Sequence, residues 1–291
     1  MEFPEPHIHH PQSTHTHTAI LLHGRGSDGP EFAEELFSSM TFKNQNVALC
    51  LPNWRWVFPT SRDRWDTRFQ EEMCAWFDAY SLTDVQERQN LQIDGLRESV
   101  LHIVDILENE IRLLGGKHRY VFLGGISQGM ATALCTLFCA TGTGRIQGQL
   151  GGFLGFCGWL PFVRRVGDLV RQPQETNTLS LPGGARAKRL VADFYLDTIF
   201  GSPDMSSVKE VNDTSILSTP VFLSHGTDDA WVPVEQGRQA AQILQQITIQ
   251  VEWNEFSGAE GDGHWIKEPE GFDQVLQFVE KQRDRNQTES Q

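Results

Sequence analysis

Ser127 lies in Gly124-Gly125-Ile126-Ser127-Gln128-Gly129-Met130, a G-x-S-x-G pattern that follows an apolar run at 120–123 and opens a stretch of helical spacing from about 128 to 139. A serine on such a strand-to-helix turn is set up as a nucleophile. The turn lifts its hydroxyl above the sheet and brings two backbones too close for a Cβ at Gly125 or Gly129. The hydroxyl is inert until a histidine takes its proton, and that histidine needs a carboxylate on its other nitrogen. Downstream, His225-Gly226-Thr227-Asp228-Asp229-Ala230-Trp231-Val232-Pro233 offers two carboxylates, and Gly258-Ala259-Glu260-Gly261-Asp262-Gly263-His264-Trp265 offers an imidazole. The order serine, acid, histidine is the one expected after a nucleophile elbow. A third glycine-rich turn, His23-Gly24-Arg25-Gly26-Ser27-Asp28-Gly29, follows the run at 18–22. One of its backbone N–H groups and that of Gln128 are expected to meet over a developing oxyanion. The turn has no G-K-[ST] ending, which argues against a P-loop cradle for a nucleotide phosphate.

These turns need a scaffold. Apolar runs at 18–22, 47–51, 120–123, 150–157, 220–224 and 247–253 alternate with amphipathic stretches, such as Leu96, Val100, Ile103, Leu107, Ile111 and Leu114, or Phe272, Val275, Leu276 and Val279. Near-continuous apolar runs fit parallel strands covered on both faces. The alternation predicts an α/β fold with a mostly parallel, doubly wound sheet, whose ligands bind at the carboxyl ends of the strands. Residues 1–14, rich in proline and histidine, read as a flexible N-terminal arm; 15–280 as one catalytic domain; and 281–291, which contains no apolar residue, as a disordered tail. Residues 162–213, after the fourth strand, carry two amphipathic pieces but no strand, and read as a lid-like insertion.

Composition narrows the partners. With 38 acidic against 24 basic residues the net charge is −14, which disfavours nucleic acid and anionic membrane surfaces. No apolar run is long enough to span a bilayer. The N-terminus has neither the basic nor the apolar region of a secretory signal, and five cysteines without a CxxC pair suit a reducing, cytoplasmic setting. His7, His9, His10, His15 and His17 crowd the N-terminus without a Cys or carboxylate at ligand spacing, so no metal is expected there. His23 and His225 read as turn-bracing residues, and His102 and His118 as solvated ones.

HGRGSDG, GGISQGM, HGTDDAWVP and GHW, with Trp76-Phe77-Asp78 ahead of the long helix, resemble the acyl-protein thioesterase/carboxylesterase (phospholipase/carboxylesterase) family of α/β-hydrolases. The resemblance runs from about residue 19 to 279. It implies an α/β-hydrolase fold with no metal or organic cofactor, Ser127 as nucleophile, His264 as base, and Asp229, at the acid position of H-G-x-x-D-x-x-V-P, in preference to Asp228. It also implies that the oxyanion donors are the amides of Arg25 and Gln128. The sequence departs from the family pattern at Met130 and in the long insertion beyond Trp159-Leu160-Pro161.

Arginines alternate with aromatics between 53 and 69, which reads as a groove wall rather than a dry interior. Trp54, Trp65, Met130, Trp159, Trp231 and Trp265 are therefore expected to border the substrate in an enclosed, apolar pocket. The expected activity is a serine hydrolase that cleaves carboxylic esters or thioesters of uncharged acyl chains, free or carrier-bound, as a monomer or homodimer. A lactone- or ester-forming acyl transfer, and a non-catalytic binding protein on the same fold, are the alternative readings.

Overall fold

The computed structural model describes residues 2–171, 183–201 and 214–288. Nine strands and eight α-helices alternate among them. β1 (His7–His9), β2 (His17–Leu22), β3 (Trp54–Phe58), β6 (Val121–Ile126), β7 (Gly152–Phe156), β8 (Val221–Gly226) and β9 (Val251–Phe256) form one sheet in the order β1-β3-β2-β6-β7-β8-β9. All neighbours are parallel except β1, which runs antiparallel to β3. β4 (Arg62–Asp66) and β5 (Glu71–Ala75) make a separate hairpin.

The pleat sorts the core into two layers. In β2, Ile20 and Leu22 join one apolar cluster and Ala19 and Leu21 the other, as the period of two requires. On the first face lie α3 (Gln92–Leu113), α4 (Gln128–Thr143), α5 (Val163–Arg171), α6 (Gly183–Phe200) and α7 (Val234–Gln246). On the second lie α1 (Gly29–Ser38), α2 (Val47–Cys50) and α8 (Glu270–Thr288). α1 begins where Asp28 caps the Glu31 N–H at 2.8 Å, with Pro30 in the first turn, so the glycine-rich turn before it ends in a fixed helix. No described helix is long and apolar enough to cross a membrane.

Several elements differ from the sequence expectations. Residues 47–50 form a helical turn, not a strand: Asn46 caps it through the Leu49 N–H at 2.9 Å, and Pro52 prevents its extension. The strand falls instead at 54–58. Its alternation of aromatic residues and arginine reflects two buried faces. Trp54, Trp56 and Phe58 enter the second cluster, while Arg55, on the other face, pairs with buried Glu110 at 3.0 Å. The N-terminal arm is ordered by β1, whose His7 and His9 register with Phe58 and Trp56. His102 is not solvated: it stacks on Phe3 at 4.1 Å, and burial lowers its pKa to about 4. The tail expected to be disordered continues α8 to residue 288; the buried Asn286 amide donates to the Arg119 carbonyl at 2.9 Å.

In the insertion, residues 172–182 and 202–213 lie outside the described residues. None of its described residues lines the cavity beside Ser127. α6 buries Val191, Ala192, Tyr195 and Ile199 against the first face, Tyr195 stacks on Phe138 of α4 at 4.8 Å, and its hydroxyl donates to the Pro161 carbonyl at 2.6 Å.

Candidate active site

Ser127 follows β6 directly and precedes α4. Its backbone, at φ 56° and ψ −122°, is a conformation that non-glycine residues seldom adopt and that the surrounding packing must enforce. The enforcement is visible at the flanking glycines. A Cβ on Gly125 would fall 2.6 Å from the Leu22 carbonyl oxygen, and one on Gly129 only 2.2 Å from it. β2 and the elbow therefore touch backbone to backbone, and the Ser127 N–H is fixed to the Phe156 carbonyl at 2.9 Å.

Asp229 and His264 come from the loops after β8 and β9. The His264 Nδ1–H donates to Asp229 Oδ2 at 2.7 Å. A carboxylate only accepts, so the hydrogen sits on Nδ1, and Nε2 keeps the lone pair that a general base needs. The Asp229 carboxylate is otherwise saturated. Its Oδ1 accepts the N–H groups of Trp231 and Val232, each at 2.9 Å, and Oδ2 lies 3.1 Å from His225 Nε2. Burial pushes the Asp229 carboxyl up, but the hydrogen bonds from His225, His264 and Val232 outweigh it and hold the group well below the usual carboxylate range. Asp228 faces elsewhere, accepting the Gly258 N–H at 2.8 Å and so anchoring the base of the histidine loop.

Ser127 and His264 line one cavity of about 450 Å³. Among the described residues no hydrogen bond closes between the serine Oγ and the imidazole, a looseness common in unliganded hydrolases that tightens around substrate.

Arg25 also lines this cavity, and Gln128 is the first residue of α4. Among the described residues neither backbone N–H has a protein acceptor. The side chains of both are held away from the chemistry. The Gln128 amide accepts from the Trp76 N–H and donates to the Phe77 carbonyl, both at 2.8 Å, which ties the elbow to the W-F-D segment. The Arg25 guanidinium reaches Asp66 at 3.2 Å and the Ala79 carbonyl at 3.1 Å. Gly24 brings this turn against the elbow: a Cβ there would make an ordinary 3.5 Å contact with that of Ser127.

The aromatic expectations divide. Trp231 and Trp265 line the cavity, together with Phe32, Leu82 and Ile126. Trp54, Trp65, Met130 and Trp159 do not. Trp54 is buried against His17, its ring centroid 5.0 Å away, and Trp159 is buried beside Phe77. Met130 is sealed under β7, where its sulfur crowds Gly155, and Trp65 is exposed on the β4–β5 hairpin. The cavity is also less apolar than expected, since Ser27, Glu35, Ser38, Ser39 and Glu260 share its lining.

Two residues of the site escaped sequence reasoning. His225 braces its turn as expected, through the Val232 carbonyl at 2.9 Å, but the same Nε2 also reaches Asp229. Cys157, at φ +46°, lies beside the Asp229–His264 pair, with its sulfur and the ligand atoms of Asp229 and His264 within 4.8 Å of one another. Burial pushes its thiol pKa far up, so it packs there as a neutral group. The signal for His225 was its spacing of four from Asp229; a lone cysteine at a strand end carries none.

The model of the phospholipase/carboxylesterase family matches residues 4–179, which include the glycine-rich turn after β2 and the G-x-S-x-G turn, and the chain belongs to that family of α/β-hydrolases. Among curated relatives, acyl-protein thioesterase 1 of Gibberella zeae is 27% identical over 273 residues, covering 93% of this chain and 92% of its own. Carboxylesterase SOBER1 of Arabidopsis thaliana is 26% identical over 268 residues, or 90% of this chain and 86% of its own. Of solved structures, acyl-protein thioesterase 2 of Zea mays superposes with a TM-score of 0.62 at 23% identity, over 96% of this chain and 98% of that one, a likeness of fold.

Proposed function

We propose that the protein hydrolyses carboxylic esters or thioesters through an acyl-enzyme on Ser127. The observation that carries this reading is the 2.7 Å bond from His264 Nδ1 to the buried, multiply hydrogen-bonded side chain of Asp229, with His264 bordering the same cavity as the strained serine. His264 Nε2 takes the Ser127 proton as the oxygen attacks the acyl carbon. The Arg25 and Gln128 amides receive the oxyanion, and collapse of the tetrahedral species expels the alcohol or thiol, protonated by the same imidazole. Water then repeats the sequence and releases the acid. Asp229 stays ionised throughout, fixing the tautomer and stabilising the imidazolium. The loops that carry Asp229 and His264 lie beyond the matched family segment; that His264 borders the same cavity as Ser127 supports their assignment. The thioesterase and carboxylesterase names of the relatives support the same bond class.

The test is covalent. A fluorophosphonate should label the protein at Ser127, as mapped by peptide mass spectrometry, and Ser127→Ala should abolish the adduct while the fold persists. A folded wild-type protein without that adduct, and inert towards p-nitrophenyl and thioester acyl panels, overturns the proposal.

A further inference from the structure

The lining of the Ser127 cavity carries a charge pattern that hydrolysis of a neutral acyl chain does not require. Glu35 and Glu260 line it, and among the described residues neither carboxylate has a salt-bridge or hydrogen-bond partner. Arg25 is the one cation among the described lining residues, and its guanidinium is taken up by Asp66 and the Ala79 carbonyl. Lys267, three residues after His264, is spent on the Gly258 carbonyl at 2.6 Å. Burial and the adjacent Glu31 and Glu34 push the Glu35 carboxyl up, a strain that a cation from outside would relieve. Trp231, 54% exposed, lines the same cavity, and among the described residues its indole stacks on no other ring.

The position of these groups says which half of a substrate they face. In acyl transfer the base returns its proton to the leaving group, so whatever surrounds His264 borders the departing alcohol or thiol. Glu260 is on the histidine loop itself. Trp231 is on the acid loop, which is laced to the histidine loop by the Ala230 N–H to the Asp262 carbonyl at 3.0 Å. Glu35 is brought alongside because Trp265 donates to Ser39 Oγ at 3.2 Å and packs edge-on against Phe32, docking the histidine loop on α1.

Resting on the serine-hydrolase reading, we propose that Glu35, Glu260 and Trp231 form a leaving-group subsite for a positively charged alcohol or thiol, such as a quaternary ammonium. Two free carboxylates in a concave site concentrate cationic substrate by their field, and an indole face adds cation–π attraction. The acyl half remains uncharged.

The experiment compares butyrylcholine with 3,3-dimethylbutyl butyrate, the same shape without the charge, on the full chain. The choline ester should show a kcat/KM higher by about tenfold at low salt, shrinking as ionic strength rises. Glu35→Gln, Glu260→Gln and Trp231→Leu should each lower that ratio severalfold, and Glu35→Asp should retain most of it. A ratio near one, from enzyme that still labels at Ser127, overturns the subsite and leaves the hydrolase reading standing. Loss of labelling in the folded wild type overturns both.

Discussion

At the carboxyl ends of β6 and β8 the backbone is dictated atom by atom. A methyl group on Gly129 would collide with the Leu22 carbonyl, Ser127 is held at positive φ, and every oxygen of Asp229 is committed to a named donor. In α6 the constraint is of another kind. Tyr195, Val191 and Ile199 are as buried as anything at the site, but they are held by volume and apolar contact against α4 and α3, and many side chains of similar shape would do. One region tolerates almost no change of geometry, the other almost no change of volume. The proposed chemistry resides in the first, and much of the stability of the first face resides in the second.

Breaking the site should therefore cost rate without fold. The largest effect is expected from His264→Ala, a fall in kcat of about 10⁵–10⁶, because nucleophile and base act as a unit; an enzyme within tenfold of wild type in a steady-state ester assay would remove His264 from the mechanism. Next comes the contrast between neighbours. Asp229→Asn should lose roughly 10³–10⁴ in kcat through the wrong imidazole tautomer. Asp228→Asn, which keeps an acceptor for the Gly258 N–H, should stay within about tenfold. Equal losses in the same assay would dissolve the distinction between acid and loop anchor.

The insertion should behave in the opposite sense. Tyr195→Ala removes a buried ring and should destabilise by about 3–5 kcal/mol in denaturant titration. Its folded fraction should hydrolyse esters within about twofold of wild type, since distant sites act independently. A shifted acyl-chain preference would instead join α6 to the pocket.

The smallest effect is a pH slope from two histidines at the ends of β2. Burial lowers the pKa of His17 and His23 from 6.5 to about 4. Below pH 6.5 the unfolded chain takes up protons that the folded one refuses, so stability is complete above that value and declines as pH falls towards 4. For the fully buried His23 alone the loss approaches about 3 kcal/mol. A melting temperature flat between pH 7 and 4.5 would show that these rings are protonated in place.

Legibility followed the same division. The elbow, the two downstream loops and the turn after β2 could be read from sequence because their glycines, serine, aspartates and histidine are demanded by geometry that few other residues satisfy. The choice between Asp228 and Asp229 needed the family pattern; in the structure it is Asp229 that meets His264. What could not be read depended on volume and on distant partners. The 47–51 run is apolar like a strand, and only the Asn46 cap and Pro52 turn it into a helix end. Trp54 and Trp159 look like pocket walls in one dimension and are core in three. Glu35 reaches the site only because Trp265, 230 positions away, docks against the end of α1.

The short β1 strand has a consequence for handling the molecule. By pairing along the outer edge of β3, with Pro4, Pro6 and Pro11 on either side of it, it occupies backbone groups that would otherwise be open to a strand from another chain. Trimming the first ten residues would uncover the β3 edge next to a band of tryptophans, and aggregation, rather than loss of turnover, would be its first symptom.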